Sequence, residues 1–224
     1  PQGGLISPIL ANVYLHYVLD LWFEKCIKKQ LYGEAYLIRF ADDFLIMFQY
    51  ERDAQRVYEA VIKRMELFGL ELSKEKTRIL PFGRNCGTRE TFDFLGFTHF
   101  NSKTRKGYYT VGHKISRKKK KQFKSNLKKW VKENRNTQFD EFMKTLNKKL
   151  TGSFNYYSLS GMIKEVRNLW IHSLYVTFKW LNRRSQRRSF KLDKFYEVWQ
   201  ERIIHPYIHV DIWSGDKVIY CKNV

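Results

Sequence analysis

The chain has 224 residues, of which 43% are hydrophobic and 17% aromatic, so it can build a packed core and global disorder is excluded. It carries 42 Lys and Arg against 22 Asp and Glu, a formal net charge of +20 at pH 7. A charge of this size favours a polyanionic partner, with nucleic acid as the first candidate and an anionic membrane surface as the second. No run approaches 18 consecutive apolar residues, so no membrane-spanning helix is predicted and we expect no membrane partner.

The first predicted element is a helix from about Pro8 to Lys28. Ser7 supplies a capping hydroxyl, Pro8 suits the first helical position, and apolar residues recur behind them at helical spacing. Two short apolar, aromatic runs follow at residues 36–40 and 44–48, separated by Ala-Asp-Asp. Their length and aromatic content favour two strands joined by a tight turn.

The next elements extend this layer of strands and helices. Asp53 is predicted to cap a helix whose apolar positions fall on one face and which ends at Gly69. The segment "LELSKEKTRIL" at residues 70–80 predicts a strand, a turn and a strand, and "FDFLGFTHF", "NSKTRKG" and "YYTV" predict a hairpin with a polar tip. These elements predict an α+β fold with an antiparallel sheet and packed helices.

The composition changes after Val111. Residues 114–135 contain eleven Lys and Arg and a single Glu, yet their apolar residues keep helical spacing, so we predict an amphipathic helix with a basic face. Further helices are predicted from the apolar residues between 139 and 150, between 163 and 181, and around 195–199. We therefore expect two domains: residues 1–112, which contain the sheet, and an all-helical domain at residues 113–224.

The pair Asp42 and Asp43 stands in an otherwise apolar run, "YLIRFADDFLIMF". Burying an unpaired carboxylate costs several kcal/mol, so we expect a compensating partner. A turn lets two consecutive side chains share one place, and two carboxylates are hard oxygen ligands suited to Mg²⁺. Two such ions about 4 Å apart support nucleotidyl transfer. The alternative is an ordinary solvated Asp-Asp turn.

The segment "RFADDFLI" resembles the catalytic strand-turn-strand of reverse transcriptases. "PQGGLISPILANVYLHYVLD", "GLELSKEKT" and "FLGF" are similar to the neighbouring palm segments of the group II intron subfamily, in the family order. "GSFNYYSLSG" and "WLNRRSQRRSF" resemble the maturase-specific thumb, often called domain X. The resemblance runs through nearly the entire chain, and it implies a partial polymerase palm followed by a helical thumb.

The resemblance implies roles for individual residues. Asp42 is a direct metal ligand of a two-Mg²⁺ site, with Asp43 as its supporting partner. Lys76 faces the triphosphate as charge stabiliser or proton donor. Contacts with the templating base, the nucleotide and the primer are implied for Gln2, Gly3, Phe40, Phe94, Leu95, Gly96 and Phe97. A plain strand kink is the alternative explanation of the Leu-Gly pair.

In this family another metal-ligating aspartate and the template-binding fingers lie upstream of the "PQGG" segment. The sequence begins at Pro1 and contains neither, so we expect it to be part of a longer protein, with an incomplete metal site and no polymerase activity alone. Expected partners are structured intron RNA, a template-primer, dNTPs, the amino-terminal half of the polymerase and, as a further candidate, a DNA target. Three scattered cysteines without a C-x-x-C pair favour a reducing compartment, and no signal peptide is recognisable, so we expect a cytoplasmic protein.

Two basic segments are candidate nucleic-acid-binding surfaces. The residues of the "RKKKK" helix are Arg117, Lys118, Lys120, Lys121, Lys124 and Lys128, and those of "NRRSQRRS" are Arg183, Arg184, Arg187 and Arg188. The net charge and the interleaved apolar stripe favour contacts with phosphates, for which arginine offers a planar, bidentate fork. A solvated helix face and a solubilising linker are the respective alternatives.

Two aromatic and two imidazole side chains complete the set of candidates. Tyr156 and Tyr157 either stack on unpaired bases or pack between helices, and the sequence leaves both open. His205 and His209 are four residues apart, but Pro206 lies between them and no Glu is near, so we expect structural histidines rather than a zinc site.

Three function classes remain. The first is an RNA-directed DNA polymerase and intron maturase that is active only with its amino-terminal half. The second is a binding module that stabilises folded intron RNA for splicing and does no nucleotide chemistry. The third is a reverse transcriptase of another lineage, such as a retron or CRISPR-associated enzyme, against which "NYYSLSG" and "NRRSQRRS" count. The acid pair favours the first class, and the lack of the upstream aspartate favours the second.

Overall fold

The computed structural model describes residues 4, 6–73, 75–184 and 189–207. The chain divides into two compact units, Pro1–Leu95 and Gly96–Val224. The predicted α+β class is confirmed, since the described residues form small antiparallel sheets and helices, with a carboxy-terminal region that is helical. The predicted boundary between residues 112 and 113 lies inside the second unit, within its last strand.

The first unit opens with a long helical segment. Helix α1, Ser7–Leu15, continues into two π-helical turns, His16–Asp20 and Phe23–Ile27, and a final 3₁₀ turn, Lys28–Gln30, so the predicted extent is confirmed. The predicted serine cap is wrong. Ile6 holds the capping position without a side-chain hydrogen bond, and the serine is already the first helical residue.

Only the second half of this segment is buried. Val18, Leu19 and Phe23 have almost no exposed surface, whereas α1 buries none of its residues. Each π turn accommodates one extra residue and so changes which side chains face the core. The apolar residues of α1 stay exposed, although its sequence is as hydrophobic as that of a core helix.

Strands β1, Ala35–Phe40, and β2, Asp43–Phe48, form the predicted antiparallel hairpin. Successive side chains alternate between the faces, so Leu37, Phe44 and Ile46 pack into the core. The opposite face carries exposed apolar side chains: Tyr36, Ile38, Phe40 and Met47. One face of this two-stranded sheet is thus covered and the other is open.

Helix α2, Glu51–Leu67, closes the covered face. Val57, Val61 and Met65 are buried along one stripe, and Gly69 follows with a φ of 68°, as predicted for a helix stop. The predicted cap by Asp53 is wrong. Its side chain is buried, and its Oδ2 accepts hydrogen bonds from the amides of Tyr32 and Gly33, each at 3.0 Å.

The predicted strands at residues 70–80 are also wrong. In the described part of this segment, residues 70–73 and 75–80, the chain forms a turn and irregular structure. Leu70 and Leu72 pack against the core of the first unit, so their apolar pattern reflects burial rather than a hydrogen-bonded ladder. Strand β3, Thr91–Phe94, is the last element of this unit.

The second unit begins with the predicted hairpin and continues with helices. Strands β4, Phe97–Lys103, and β5, Tyr109–Ile115, pair antiparallel around a polar tip. The four predicted helices follow as α3, Arg117–Asn134; α4, Phe139–Tyr157; α5, Ile163–Leu181; and α6, Leu192–Arg202.

A single apolar cluster holds these helices together. It includes the buried side chains of Leu127, Val131, Phe142, Leu146, Phe154, Leu169, Phe195 and Trp199. The Ser116 hydroxyl caps α3 by accepting a hydrogen bond from the Lys119 amide at 3.4 Å. Among the described residues, no helix has both the length and the apolar character needed to cross a bilayer.

Candidate functional site

The two adjacent acids lie at the tip of the β1–β2 hairpin. Ala41 and Asp42 form the two-residue turn, and Asp43 begins β2 directly opposite Phe40. Ala41 has a φ of 50°, in the left-handed region that costs a residue with a Cβ roughly 1 kcal/mol or more. The hairpin therefore presents both carboxylates on a tight and locally strained support.

The expectation that these carboxylates are buried is wrong. The side chains of Asp42 and Asp43 are both exposed. The apolar residues around them alternate between two faces of the sheet, so Phe44 enters the core while Phe40 lies on the open face with 64% of its surface exposed. Because the acids stay hydrated at the tip, the fold needs no counter-ion to tolerate them.

Arg39 secures the base of this turn. Its Nε and Nη2 donate to the two carboxylate oxygens of Asp20, at 2.8 and 2.7 Å. Its Nη1 donates to the side-chain oxygen of Asn12 at 2.9 Å and to the carbonyl of Ala41 at 3.1 Å. One guanidinium therefore joins the helical segment, strand β1 and the acid-bearing turn.

This pairing also sets the charge states of its members. The hydrogen bond from Arg39 is the main reason that the pKa of Asp20 lies below its usual range, and the same bond raises the pKa of Arg39. The nearby charge of Asp42 adds to the second effect. This clamp was not predicted from the sequence, where its only local signal is an arginine within an apolar strand.

The carboxylate oxygens of Asp42 and Asp43 determine which kind of metal ion the turn could bind. Two adjacent carboxylates are hard oxygen ligands, and Mg²⁺ needs only one or two of these when waters and substrate phosphates complete its octahedron. In the described part of the chain, no group of three or more His, Cys, Asp or Glu side chains could hold a metal ion. The turn therefore fits Mg²⁺ that is completed by phosphate, and it does not fit a cage built from these residues alone.

Within the described part of the first unit, the structure places one predicted substrate residue, Phe40, beside the acids. Phe40 lies directly opposite Asp43, whereas Gln2 and Gly3 lie outside the described residues. Lys76 is exposed in a turn, and no hydrogen bond or ion pair among the described residues joins it to either acid. Its triphosphate role stays a prediction.

The predicted primer grip contains a two-residue turn. Leu95 and Gly96 have φ values of 49° and 82°, and both lie in a turn rather than within a strand. A Cβ added to the glycine would lie 3.5 Å from the nearest atoms, Lys119 Cγ and the Tyr157 hydroxyl, which is an ordinary contact. The backbone angle, rather than space, is what favours glycine here. The role of Phe94 and this turn in gripping a primer stays a prediction.

The paired tyrosines pack against the start of the second unit. The ring of Phe97 stacks with Tyr156 at 5.6 Å between centroids and meets Tyr157 edge to face at 5.5 Å. Burial raises the pKa of Tyr157. Packing therefore accounts for Tyr157, while half of the Tyr156 surface remains accessible.

A groove of about 870 Å³ lies between α5 and α6. Its wall includes Trp170, Tyr175, Tyr196 and His205. The His205 ring stacks on Trp170 at 5.2 Å between centroids, in line with the predicted structural role. His209 lies outside the described residues.

The net positive charge of the chain resides in the second unit. Residues 96–224 contain 29 Lys and Arg against nine Asp and Glu, a net charge of +20. Residues 1–95 contain 13 of each kind and are formally neutral. The attraction for a polyanion therefore belongs to the second unit.

Helices α3 and α5 run parallel within this unit. Near their beginnings the Lys120 Nζ pairs with the Glu165 Oε2 at 2.5 Å, and near their ends the Lys132 Nζ lies 5.9 Å from the centroid of the Trp180 ring. Lys120 is thus engaged within the fold. The other predicted phosphate-binding residues of α3 are exposed: Arg117, Lys118, Lys121, Lys124 and Lys128.

The second basic segment is described only in part. Arg183 is exposed, and its guanidinium carbon lies 5.5 Å from the centroid of the Trp180 ring. Arg184 is half-buried, and this burial lowers its pKa. Arg187 and Arg188 lie outside the described residues.

Comparison with known proteins bears on the first unit. Residues 1–99 match the family model described as "Reverse transcriptase (RNA-dependent DNA polymerase)". The matched segment contains the acid-bearing hairpin, and it supports an RNA-directed DNA polymerase domain of the reverse transcriptase type over these residues. A domain of this family implies a nucleic-acid template and dNTP substrates. No curated protein matches the chain.

Proposed function

We propose that the chain is the palm and thumb portion of a reverse transcriptase and maturase of the group II intron type. The observation that carries this proposal is the tight two-residue turn that exposes Asp42 and Asp43 inside the segment matching the reverse transcriptase model. The group II assignment is supported by the "NYYSLSG" and "NRRSQRRS" segments and by a helical second unit with a net charge of +20.

In this function Asp42 and Asp43 would hold Mg²⁺. Bound there, Mg²⁺ would supply the positive charge that activates an attacking hydroxyl and compensates the charge of the leaving oxygen. The residues of the chain position the two acids. Arg39 holds the turn by its hydrogen bond to the Ala41 carbonyl, and Phe40 presents an apolar ring beside Asp43. The basic helices of the second unit bind the phosphates of the RNA template and of structured intron RNA.

The site needs a further carboxylate from another segment. Large exposed apolar faces mark interaction sites, and a two-stranded sheet is marginally stable alone. The open face of β1–β2 and the exposed side of α1, which includes Ile9, Leu10 and Val13, support docking of such a segment on the first unit. We assign this place to the amino-terminal half of the polymerase, with its fingers and third acid.

A primer-extension assay with Mg²⁺, an RNA template and dNTPs tests the proposal. We expect no incorporation by the chain alone and incorporation after addition of an amino-terminal half of a group II reverse transcriptase. Asp42→Ala abolishes this restored activity, because it removes a metal ligand, whereas Glu59→Ala removes an exposed carboxylate from α2 and leaves activity intact. Full activity of the Asp42→Ala complex excludes the assigned site.

A second candidate function is that of an RNA-binding maturase without polymerase activity. It is favoured by the confinement of the whole net charge to the second unit and by the lack of a third metal ligand near the turn among the described residues. A splicing assay with a group II intron RNA separates the two candidates. A maturase module stimulates splicing equally well with Asp42→Ala, and it gives no primer extension even with the added half.

A further inference from the structure

Three cationic side chains converge on one tryptophan at the common end of α3 and α5. The Lys132 Nζ lies 5.9 Å from the centroid of the Trp180 ring, and the guanidinium carbons of Arg135 and Arg183 each lie 5.5 Å from it. We propose that this cluster, with the neighbouring Arg184, is a binding site for backbone phosphates of RNA. The inference rests on the proposed RNA-binding function of the second unit and adds a defined site to it.

Cation–π attraction alone does not account for the cluster. An aromatic ring attracts a cation over each of its two faces, but three cations around one ring also repel each other. In the part of the chain that the structure describes, no ion pair joins Lys132, Arg135 or Arg183 to a carboxylate. The carbonyl ends of the two helices attract cations within their last turns, yet a bound anion compensates the remaining repulsion far better.

Arg184 follows Arg183 directly in the chain and carries donor groups that the described residues leave unpaired. The Arg184 amide donates a hydrogen bond to the Leu181 carbonyl at 3.3 Å, and the Arg183 amide donates one to the Trp180 carbonyl at 3.2 Å. Both arginines therefore continue the last turn of α5. The Nε and Nη2 of Arg184 are buried and have no hydrogen-bond partner among the described residues. Buried guanidinium donors are normally satisfied, and a phosphate matches their planar fork in a bidentate manner.

The cluster also ends a continuous line of charge. Lys124, Lys128 and Lys132 follow one another at intervals of four residues on α3, with Arg135 one turn further. Residues at this spacing lie on one side of a helix and rise about 6 Å per step. An RNA strand that follows the exposed side of α3 therefore reaches the Trp180 cluster, which makes a backbone phosphate the ligand that this place favours.

The test compares two double variants with the same loss of charge. Lys132→Gln with Arg135→Gln removes two cations of the cluster, while Lys144→Gln with Lys148→Gln removes two exposed lysines of α4. The affinity of the full chain for a hairpin RNA with single-stranded ends is measured from about 50 to about 300 mM KCl, a range in which counter-ion release is well resolved.

We expect the cluster variant to reduce the magnitude of the log–log salt slope by about 0.7–0.9 for each phosphate that is no longer neutralised, and the α4 variant to change it much less. Arg184→Lys keeps the charge but loses the fork, so it weakens binding about tenfold with little change in slope. Thermal unfolding of each variant checks that the fold is intact, and an unfolded cluster variant is replaced by Arg183→Gln, for which a reduced slope is again expected.

The outcomes separate this inference from the proposed function. Equal slopes for the wild type and the cluster variant, or equal reductions in both double variants, overturn the Trp180 site while RNA binding by the second unit stands. No salt-dependent RNA binding by the wild-type chain overturns the proposed function itself. A smaller salt slope in the cluster variant, with little change in the α4 variant, establishes the site.

Discussion

Arg39→Met tests whether the acid-bearing turn depends on the clamp behind it. The substitution keeps much of the apolar length of the side chain but removes its hydrogen bonds to Asp20, Asn12 and the Ala41 carbonyl. We expect the hairpin to lose its anchor to the helical segment while the core face of β1 stays covered. The turn should then become mobile before the rest of the unit unfolds.

The magnitude follows from the charges and their exposure. A net hydrogen bond to a charged group contributes roughly 1.5–3 kcal/mol, and breaking a fully buried ion pair costs roughly 3–5 kcal/mol. The side chains of Arg39 and Asp20 are 12% and 26% exposed, so solvent screens part of this energy. We therefore expect a decrease of about 2–3 kcal/mol in the free energy of local opening.

Amide hydrogen exchange of β1 and β2 measures this opening free energy directly. Arg56→Met is the matched control, because Arg56 is exposed on α2, and its removal should change the same free energy by less than about 0.5 kcal/mol. Unchanged protection of the β1 amides in Arg39→Met would contradict the clamp.

The remaining predictions concern single contacts of the two units. Asp53→Ala leaves the amides of Tyr32 and Gly33 without their acceptor, and we expect a loss of about 2–4 kcal/mol of unfolding free energy in urea, with Asp53→Asn intermediate. Gly33→Ala places a Cβ 2.6 Å from the Tyr50 ring, so a loss of about 1–3 kcal/mol is expected in the same assay, and a neutral result would show that the ring moves freely. Burial lowers the pKa of His113 in the folded protein, so the unfolded chain binds a proton at this residue more readily as the pH falls. The free energy of unfolding is therefore highest above about pH 6.5, the ordinary pKa of histidine, and decreases below it. His113→Gln should flatten this decrease in thermal unfolding measured as a function of pH.

The elements with strong local signals could be predicted from the sequence. The helices of the second unit show apolar residues at helical spacing, and the hairpin around Asp42 combines two aromatic strands with turn residues. Each of these patterns is read within one element and needs no knowledge of its neighbours. The extent of the first helical segment was predictable for the same reason, although its π turns were not.

Features that depend on distant residues could not be predicted in this way. Arg39 meets a partner 19 residues earlier in the chain, and Asp53 caps a loop that precedes it by about 20 residues. Leu70 and Leu72 show the apolar pattern of a strand, but their burial comes from core packing without a partner strand. The exposure of Asp42 could not be predicted for the same reason. The alternation of side chains along a strand shows which residues share a face, but it does not show which parts of the hairpin the rest of the protein covers.

The unequal partition of charge has a consequence for the kinetics of encounter. A formally neutral first unit adds little to the long-range field, so the diffusional approach of RNA is steered by residues 96–224. Ionic strength should then strongly change the association rate of RNA and hardly change the chemical step at the acid-bearing turn. Selection on capture and selection on chemistry can thus act on different stretches of one chain.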